Sequence, residues 1–203
     1  MKNNILSNQT NEKLGWIELI TGCMFAGKTE EFIRRLRRQA YAKNNVIAFK
    51  PSIDQRYSSS SIASHSGSIL PSFPVSSTEE IRDIFERENK KQTIDVVGID
   101  EVQFLDLNVV DFIDELANKG VVVIVTGLDK DFKSDAFQNV DRLLPMAEFV
   151  DKLTAICHKC GNFANRTQRL VNGNYAKKSD QLILVDGQDS YEARCRNCYI
   201  KPE

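Results

Sequence analysis

From Trp16 onward the chain alternates short apolar runs with longer stretches in which apolar residues recur at helical spacing. WIELIT, at residues 16–21, reads as a strand. After a glycine-punctuated turn, residues 28–43 read as a helix. Its apolar face is Phe32, Ile33, Leu36 and Ala40, and Arg34, Arg35, Arg37 and Arg38 form its solvated side. VIAFK, at 46–50, is a second strand, closed by Pro51. The serine-rich stretch 52–77 has little periodicity, and a loop of that length in a compact domain is expected to be functional or mobile. A helix is expected at 78–90, with Ser77 and Thr78 as capping candidates. Another is expected at 106–118, stopped by Lys119-Gly120. IDVVGID at 94–100 and VVVIV at 121–125 read as strands. Continuous β-branched runs separated by helices indicate a parallel sheet covered on both faces.

The pattern therefore predicts a polar, flexible arm at 1–14 and an α/β domain at 15–152. From Leu153 the grammar changes to short strand-like pieces, polar turns and cysteine pairs, which predicts a small second module at 153–203. Apolar residues make up 41% of the chain, enough for a packed core. The formal net charge of -1 gives no broad surface for a polyanion, so no nucleic-acid partner is expected. No apolar run approaches the roughly 20 residues that span a bilayer. MKNNILSNQTNEK lacks the apolar stretch of a secretory signal. The expected setting is cytoplasmic, without a membrane partner.

Residues 22–29 spell GCMFAGKT, which satisfies G-x-x-x-x-G-K-[ST] with a strand before it and a helix after. Gly22 and Gly27 let the backbone turn so that successive N–H groups face one concavity, and the helix start adds its positive end. Gly22, Cys23, Met24, Phe25, Ala26, Gly27, Lys28 and Thr29 are thus the candidate ATP-binding loop. Lys28 would reach the β- and γ-phosphates, and the Thr29 hydroxyl would ligate Mg²⁺. Cys23 reads as a filler of the tight turn, although Lys28 and the helix start beside it could lower the pKa of its thiol.

Asp100 and Glu101 follow the run VVGI, at the carboxyl end of a strand, where open parallel sheets bind ligands. Neighbouring residues there point in different directions. Asp100 can face the metal while Glu101 faces the acceptor, as general base or as activator of water. The pair serves a kinase and a hydrolase equally well.

Cys157/Cys160 and Cys195/Cys198 are two C-x-x-C pairs, and without an export signal such pairs favour metal over disulfides. Four thiolates match a closed tetrahedral Zn²⁺ site. The segment between them, residues 161–194, is longer than the roughly 15–20 residues of a simple ribbon. A structural zinc supplies on the order of 10 kcal/mol, which outweighs the entropy of closing that loop. His158 reads as a surface residue rather than a further ligand. The tethered segment has few apolar anchors beyond Leu182 to Val185, which suits a lid over a small ligand.

The set GCMFAGKT, DQRYS (54–58), IDEVQF (99–104), GLDKDF (127–132) and the two cysteine knuckles resembles the type II, cytosolic-type thymidine kinases, over about residues 16–199. The resemblance implies a RecA-like P-loop sheet flanked by helices, plus a small zinc-ribbon-like domain with a lasso loop. It implies transfer of the γ-phosphoryl group of ATP to the 5′-hydroxyl of thymidine, and of deoxyuridine, in nucleotide salvage. Glu101 falls at the family's general base. Thr29 and Asp100 fall on the Mg²⁺ side, with Asp54 near the metal's water shell and Arg56 near the transferring phosphates. Met24, Leu128 and Thr167 match residues around the thymine methyl. Phe104, Phe132 and Phe137 match aromatics flanking base and sugar, and Tyr191 matches the lasso tyrosine. Val185 and Gly187 join the substrate set, because the lasso main chain reads the base. His65 reads as a plain loop residue. A homotetramer and inhibition by the end-product triphosphate are also implied. Two other readings stay open on the residues alone: a DNA-coupled ATPase and a zinc-dependent nucleic-acid module. Stimulation by single-stranded DNA, or salt-sensitive DNA binding, would mark them.

Overall fold

The computed structural model describes residues 14–53, 61–63, 67–182 and 189–203. In chain order its elements are β1 (Trp16–Gly22), α1 (Lys28–Tyr41), β2 (Val46–Pro51), β3 (Ser61–Ala63), β4 (Ile69–Pro71), β5 (Phe73–Val75), α2 (Thr78–Lys91) and β6 (Val96–Ile99). A 3-10 turn (Val102–Phe104), α3 (Asn108–Asn118), β7 (Val122–Leu128), α4 (Gln138–Leu143) and β8 (Phe149–Leu153) follow. Short strands β9 (Ala155–Ile156), β10 (Phe163–Ala164), β11 (Arg166–Val171), β12 (Asn174–Tyr175) and β13 (Asp189–Arg194) complete the chain.

Six strands form one sheet in the order β5-β2-β6-β7-β1-β8, and every neighbouring pair is parallel. Successive side chains along a strand point to opposite faces, so the β-branched runs feed two cores. Ile20, Ala48, Val96, Val122 and Ile124 pack with Phe32, Ile33 and Leu36 of α1. Leu19, Ile47, Val97, Val123 and Val125 pack with residues of α2, α3 and α4, among them Ile81, Phe112, Ile113 and Val140. The expected sheet covered on both faces is what the chain forms.

Several local expectations need correcting. Ala40 lies beyond the last buried turn of α1 and is exposed. Arg35 is not a solvated residue. Its guanidinium bonds Glu18 of β1 at 2.7 Å, Glu31 at 2.7 Å, and Asp151 of β8. The physical reason is β8, which pairs with β1 at the sheet edge and brings its acid within reach of the guanidinium. The stretch 52–77 is not all loop. Its described part holds the antiparallel pair β3–β4, and β5 lies parallel to β2 at the other sheet edge.

Ser77 caps α2, accepting the Glu80 N–H at 3.3 Å. Thr78 instead bonds Asp106 through both its N–H and its hydroxyl, each at 2.8 Å. That carboxylate also accepts the Asn108 N–H, so α3 begins at Asn108 rather than Asp106.

Helix α1 rests directly on β6 at Gly98. A Cβ there would lie 2.6 Å from Leu36 Cδ1 and 2.9 Å from Phe32 Cζ. Gly98→Ala is expected to lower stability by about 1–3 kcal/mol through overpacking. Chemical denaturation would read this as a lower midpoint, and an unchanged midpoint would show that the helix can move off the strand at no cost.

Candidate active site

The turn Gly22–Thr29 links β1 to α1. Gly22 has φ 142°, and a Cβ there would meet the Leu153 carbonyl oxygen at 2.3 Å. No other residue fits beside β8 at this point. Phe25 and Gly27 sit at φ 65° and 81°, among neighbours of negative φ. Backbones that alternate in hand this way turn their N–H groups into one concavity. Lys28 is buried at the start of α1, and its Nζ donates to the Cys23 carbonyl at 3.0 Å. The ammonium is thus held across the mouth of the turn by a single main-chain oxygen, which a phosphate can replace. Burial raises the Cys23 thiol above its ordinary value despite the nearby Lys28 charge. The lowered pKa that the sequence suggested does not occur, because desolvation outweighs the ammonium.

The acids sit two strands away. Asp100 and Glu101 leave β6 and are almost fully buried. The Thr126 hydroxyl, in the middle of β7, accepts the Glu101 N–H at 3.0 Å and donates to Asp100 Oδ1. One hydroxyl therefore fixes both residues. Glu101 is in the left-handed region, at φ 48° and ψ 48°. A non-glycine residue there stores about 1–3 kcal/mol of strain and persists only where its surroundings enforce it. Gln103 adds to that enforcement. Its Oε1 accepts the Leu128 N–H at 3.1 Å, so its Nε2 must be the atom that donates to Glu101 Oε2, at 2.5 Å.

Thr126 and Gln103 escaped the sequence reading. The signal was available: Thr126 follows the apolar run VVVIV directly and Gln103 lies between Val102 and Phe104, and a polar residue that enters a core must find a partner.

The remaining predicted residues fall as follows. Leu128 ends β7 and is half-buried, as is Phe104 at the end of the 3-10 turn. Phe132 is buried, with the Arg169 guanidinium 5.1 Å from its ring and the Tyr199 hydroxyl donating to its carbonyl at 2.6 Å. Phe137 is half-buried and packs against the core beneath α3 and α4. Thr167, on β11, is buried and accepts the Met24 N–H at 3.1 Å. Tyr191, on β13, lies opposite Arg169. Asp54, Arg56, His65, Val185 and Gly187 lie outside the described residues.

The sulfur atoms of Cys157, Cys160, Cys195 and Cys198 all lie within 4.8 Å of one another, and Cys160 and Cys195 are 3.6 Å apart. A tetrahedral zinc with Zn–S near 2.3 Å holds its sulfurs roughly 3.8 Å apart. A disulfide would need about 2.05 Å. The cluster fits zinc. Burial opposes ionisation of Cys157, yet amide groups of both knuckles outweigh it and bring the thiol down to about 6. Hydrogen bonds with Cys160 and Cys195 push the Cys198 thiol up to about 12, so in the absence of metal the four thiols do not all ionise together. His158 is exposed, 3.6 Å from Glu192, and stands apart from the four sulfurs.

The family profile described as thymidine kinase matches residues 15–199. The chain is 66% identical over 188 residues to a protein of Mesoplasma florum named thymidine kinase, covering 93% of each chain. It is 63% identical over 200 residues to a thymidine kinase of Mycoplasma mycoides, covering 98% of this chain and 96% of the relative.

Metal analysis of the purified protein is expected to find one zinc per chain. Cys195→Ala should lose that zinc and lower the Tm by more than about 5 °C, because binding energy at such a site is folding energy. A variant that melts like the unaltered protein would remove the metal from the fold's stability.

Proposed function

This chain belongs to the thymidine kinase family, and on that premise we propose that it transfers the γ-phosphoryl group of ATP to the 5′-hydroxyl of thymidine, with deoxyuridine as a second acceptor. The observation that carries the reading is the placement of Glu101. Strands β6, β7 and β1 are adjacent, so Glu101, its main-chain N–H held by Thr126 and its carboxylate by Gln103, stands across β7 from the turn that carries Lys28.

In this reading residues 22–29 are the P-loop of a RecA-like domain at 15–152, behind an arm at 1–14. The zinc-ribbon-like module at 153–203 carries the lasso that covers the nucleoside. Glu101 accepts the proton of the 5′-hydroxyl, whose oxygen forms a bond to the γ-phosphorus as the bond to the ADP oxygen breaks. Lys28 and Arg56 hold the charge of the transferring phosphoryl group. Thr29 and Asp100, with Asp54 in support, would hold Mg²⁺, which neutralises the phosphate charge when bound. The base and sugar lie among Met24, Leu128, Thr167, Phe104, Phe132, Phe137, Val185, Gly187 and Tyr191.

The resemblance to type II thymidine kinases supports a homotetramer, a cytoplasmic setting and inhibition by the end-product triphosphate as parts of the same proposal. Among the described residues no helix is long and apolar enough to cross a membrane.

Incubation with Mg·ATP and a panel of nucleosides tests the reading. Thymidine monophosphate should form only when protein, Mg·ATP and thymidine are all present. ATP turnover without a nucleoside, stimulated by single-stranded DNA, would contradict it. Glu101→Gln should still bind ATP while its kcat falls at least ~100-fold, the scale of lost base catalysis. Near-normal turnover in that variant would take the base role away from Glu101.

A further inference from the structure

Two consecutive residues of the glycine turn are tied to the cysteine-bearing module. The Met24 N–H donates to Thr167 Oγ1 at 3.1 Å, and Cys23 Sγ donates to the Ala164 carbonyl at 3.4 Å. Each tie leads back to the cysteine cluster through paired backbone. Thr167 on β11 lies opposite Ala193 on β13, whose carbonyl accepts the His158 N–H at 2.9 Å. Ala164 on β10 lies opposite Ala155 on β9, two residues before Cys157. Cys23 itself packs in one buried cluster with Cys157, Cys195, Ala155, Ala164 and Ala193.

The turn is thus not supported by β1 and α1 alone. We infer that Thr167 is a positioning residue for the phosphate donor: its hydroxyl fixes the conformation of the glycine turn from the cysteine-bearing module.

The chemistry of the contact explains why a hydroxyl is needed. Thr167 is 4% exposed, so water does not readily replace it. Without an acceptor at that place the Met24 N–H would be left unpaired, and the turn would shift to find another partner. The shift would carry with it the Cys23 carbonyl, one residue away, which holds the Lys28 ammonium. Lys28 and the inward N–H groups would then no longer be set for the phosphates before the nucleotide arrives. That lost preorganisation weakens binding.

This deepens the donor-site reading above and rests on it. The resemblance also sets the Thr167 methyl against the nucleoside, so two substitutions separate the two roles. Thr167→Val keeps the methyl and removes the hydroxyl, whereas Thr167→Ser keeps the hydroxyl and removes the methyl.

The test is calorimetric titration of Mg·ATP into each protein without nucleoside, with zinc content measured on the same samples. Thr167→Val is expected to bind ATP about tenfold more weakly at full zinc content, the scale of one unpaired buried N–H. Its KM for ATP should rise in step with the weaker ATP binding, and Thr167→Ser should restore it. Thr167→Ser should bind ATP within about twofold of the unaltered protein. Equal ATP affinity in Thr167→Val and the unaltered protein would overturn the inference, and so would equal losses in both variants. No binding of Mg·ATP by the unaltered protein would overturn the donor-site reading and the inference with it. Should Thr167→Val fail to retain zinc, hydrogen exchange in the unaltered protein decides. The Met24 amide should be protected at least ~100-fold, and exchange at the rate of an open loop would refute the tie.

Discussion

Parallel pairing of β6, β7 and β1 is the constraint on which the site depends. In this register Ile99 lies opposite Val125, and Gly22 lies opposite Leu128. The carboxyl ends of the three strands therefore emerge side by side, and each delivers one part of the candidate site. From β6 come Asp100 and Glu101; from β7 come Thr126 and Leu128; from β1 comes the glycine turn with Lys28. A parallel sheet places all its carboxyl ends at one edge, where ligands of open α/β sheets bind. Distance along the chain matters little once the pairing is set.

The second constraint is lateral. Short strands around the four cysteines form small sheets of their own, and the small cluster of alanines and cysteines between them takes in Cys23 of the glycine turn. A zinc at the four sulfurs would supply the stability that so small a cluster lacks. The module grips the sheet domain at two places: the glycine turn through Ala164 and Thr167, and the loop after β7 through Tyr199 and Arg169 on Phe132. Donor and acceptor sides of the proposed reaction are thereby joined through one small module. The strained backbone of Glu101 belongs to the same economy of position, since Thr126 and Gln103 hold it where relaxed geometry would not.

Much of the sheet domain was legible. Continuous runs such as VVVIV can only be buried on two faces, and GCMFAGKT dictates a turn between strand and helix. The edges were not. β5 is the three residues Phe73–Val75 with Pro74 at its centre, a residue tolerated only where one side of the strand is unpaired. In β8, Phe149, Val150, Asp151 and Lys152 are all exposed, so no alternation marks it as a strand. Missing β8 also hid the role of Arg35, whose partner Asp151 lies on it. Within the site, Glu101, Lys28 and the four cysteines announced themselves by motif and spacing. Thr126 and Gln103 carried only the weaker signal of polar residues beside buried apolar ones, because the fold alone brings Thr126 to Glu101 and Gln103 to the Leu128 N–H. Asp54, Arg56, Val185 and Gly187 rest on the resemblance alone.

A high-resolution structure with thymidine and a non-hydrolysable ATP analogue tests the central claim most directly. The quantity to measure is the separation between the thymidine 5′-oxygen and the Glu101 carboxylate. The result expected is hydrogen-bond distance, roughly 2.6–3.2 Å, with the same oxygen facing the γ-phosphorus. A nucleoside held with its 5′-oxygen out of reach of Glu101, or bound away from the glycine turn, would contradict the assignment.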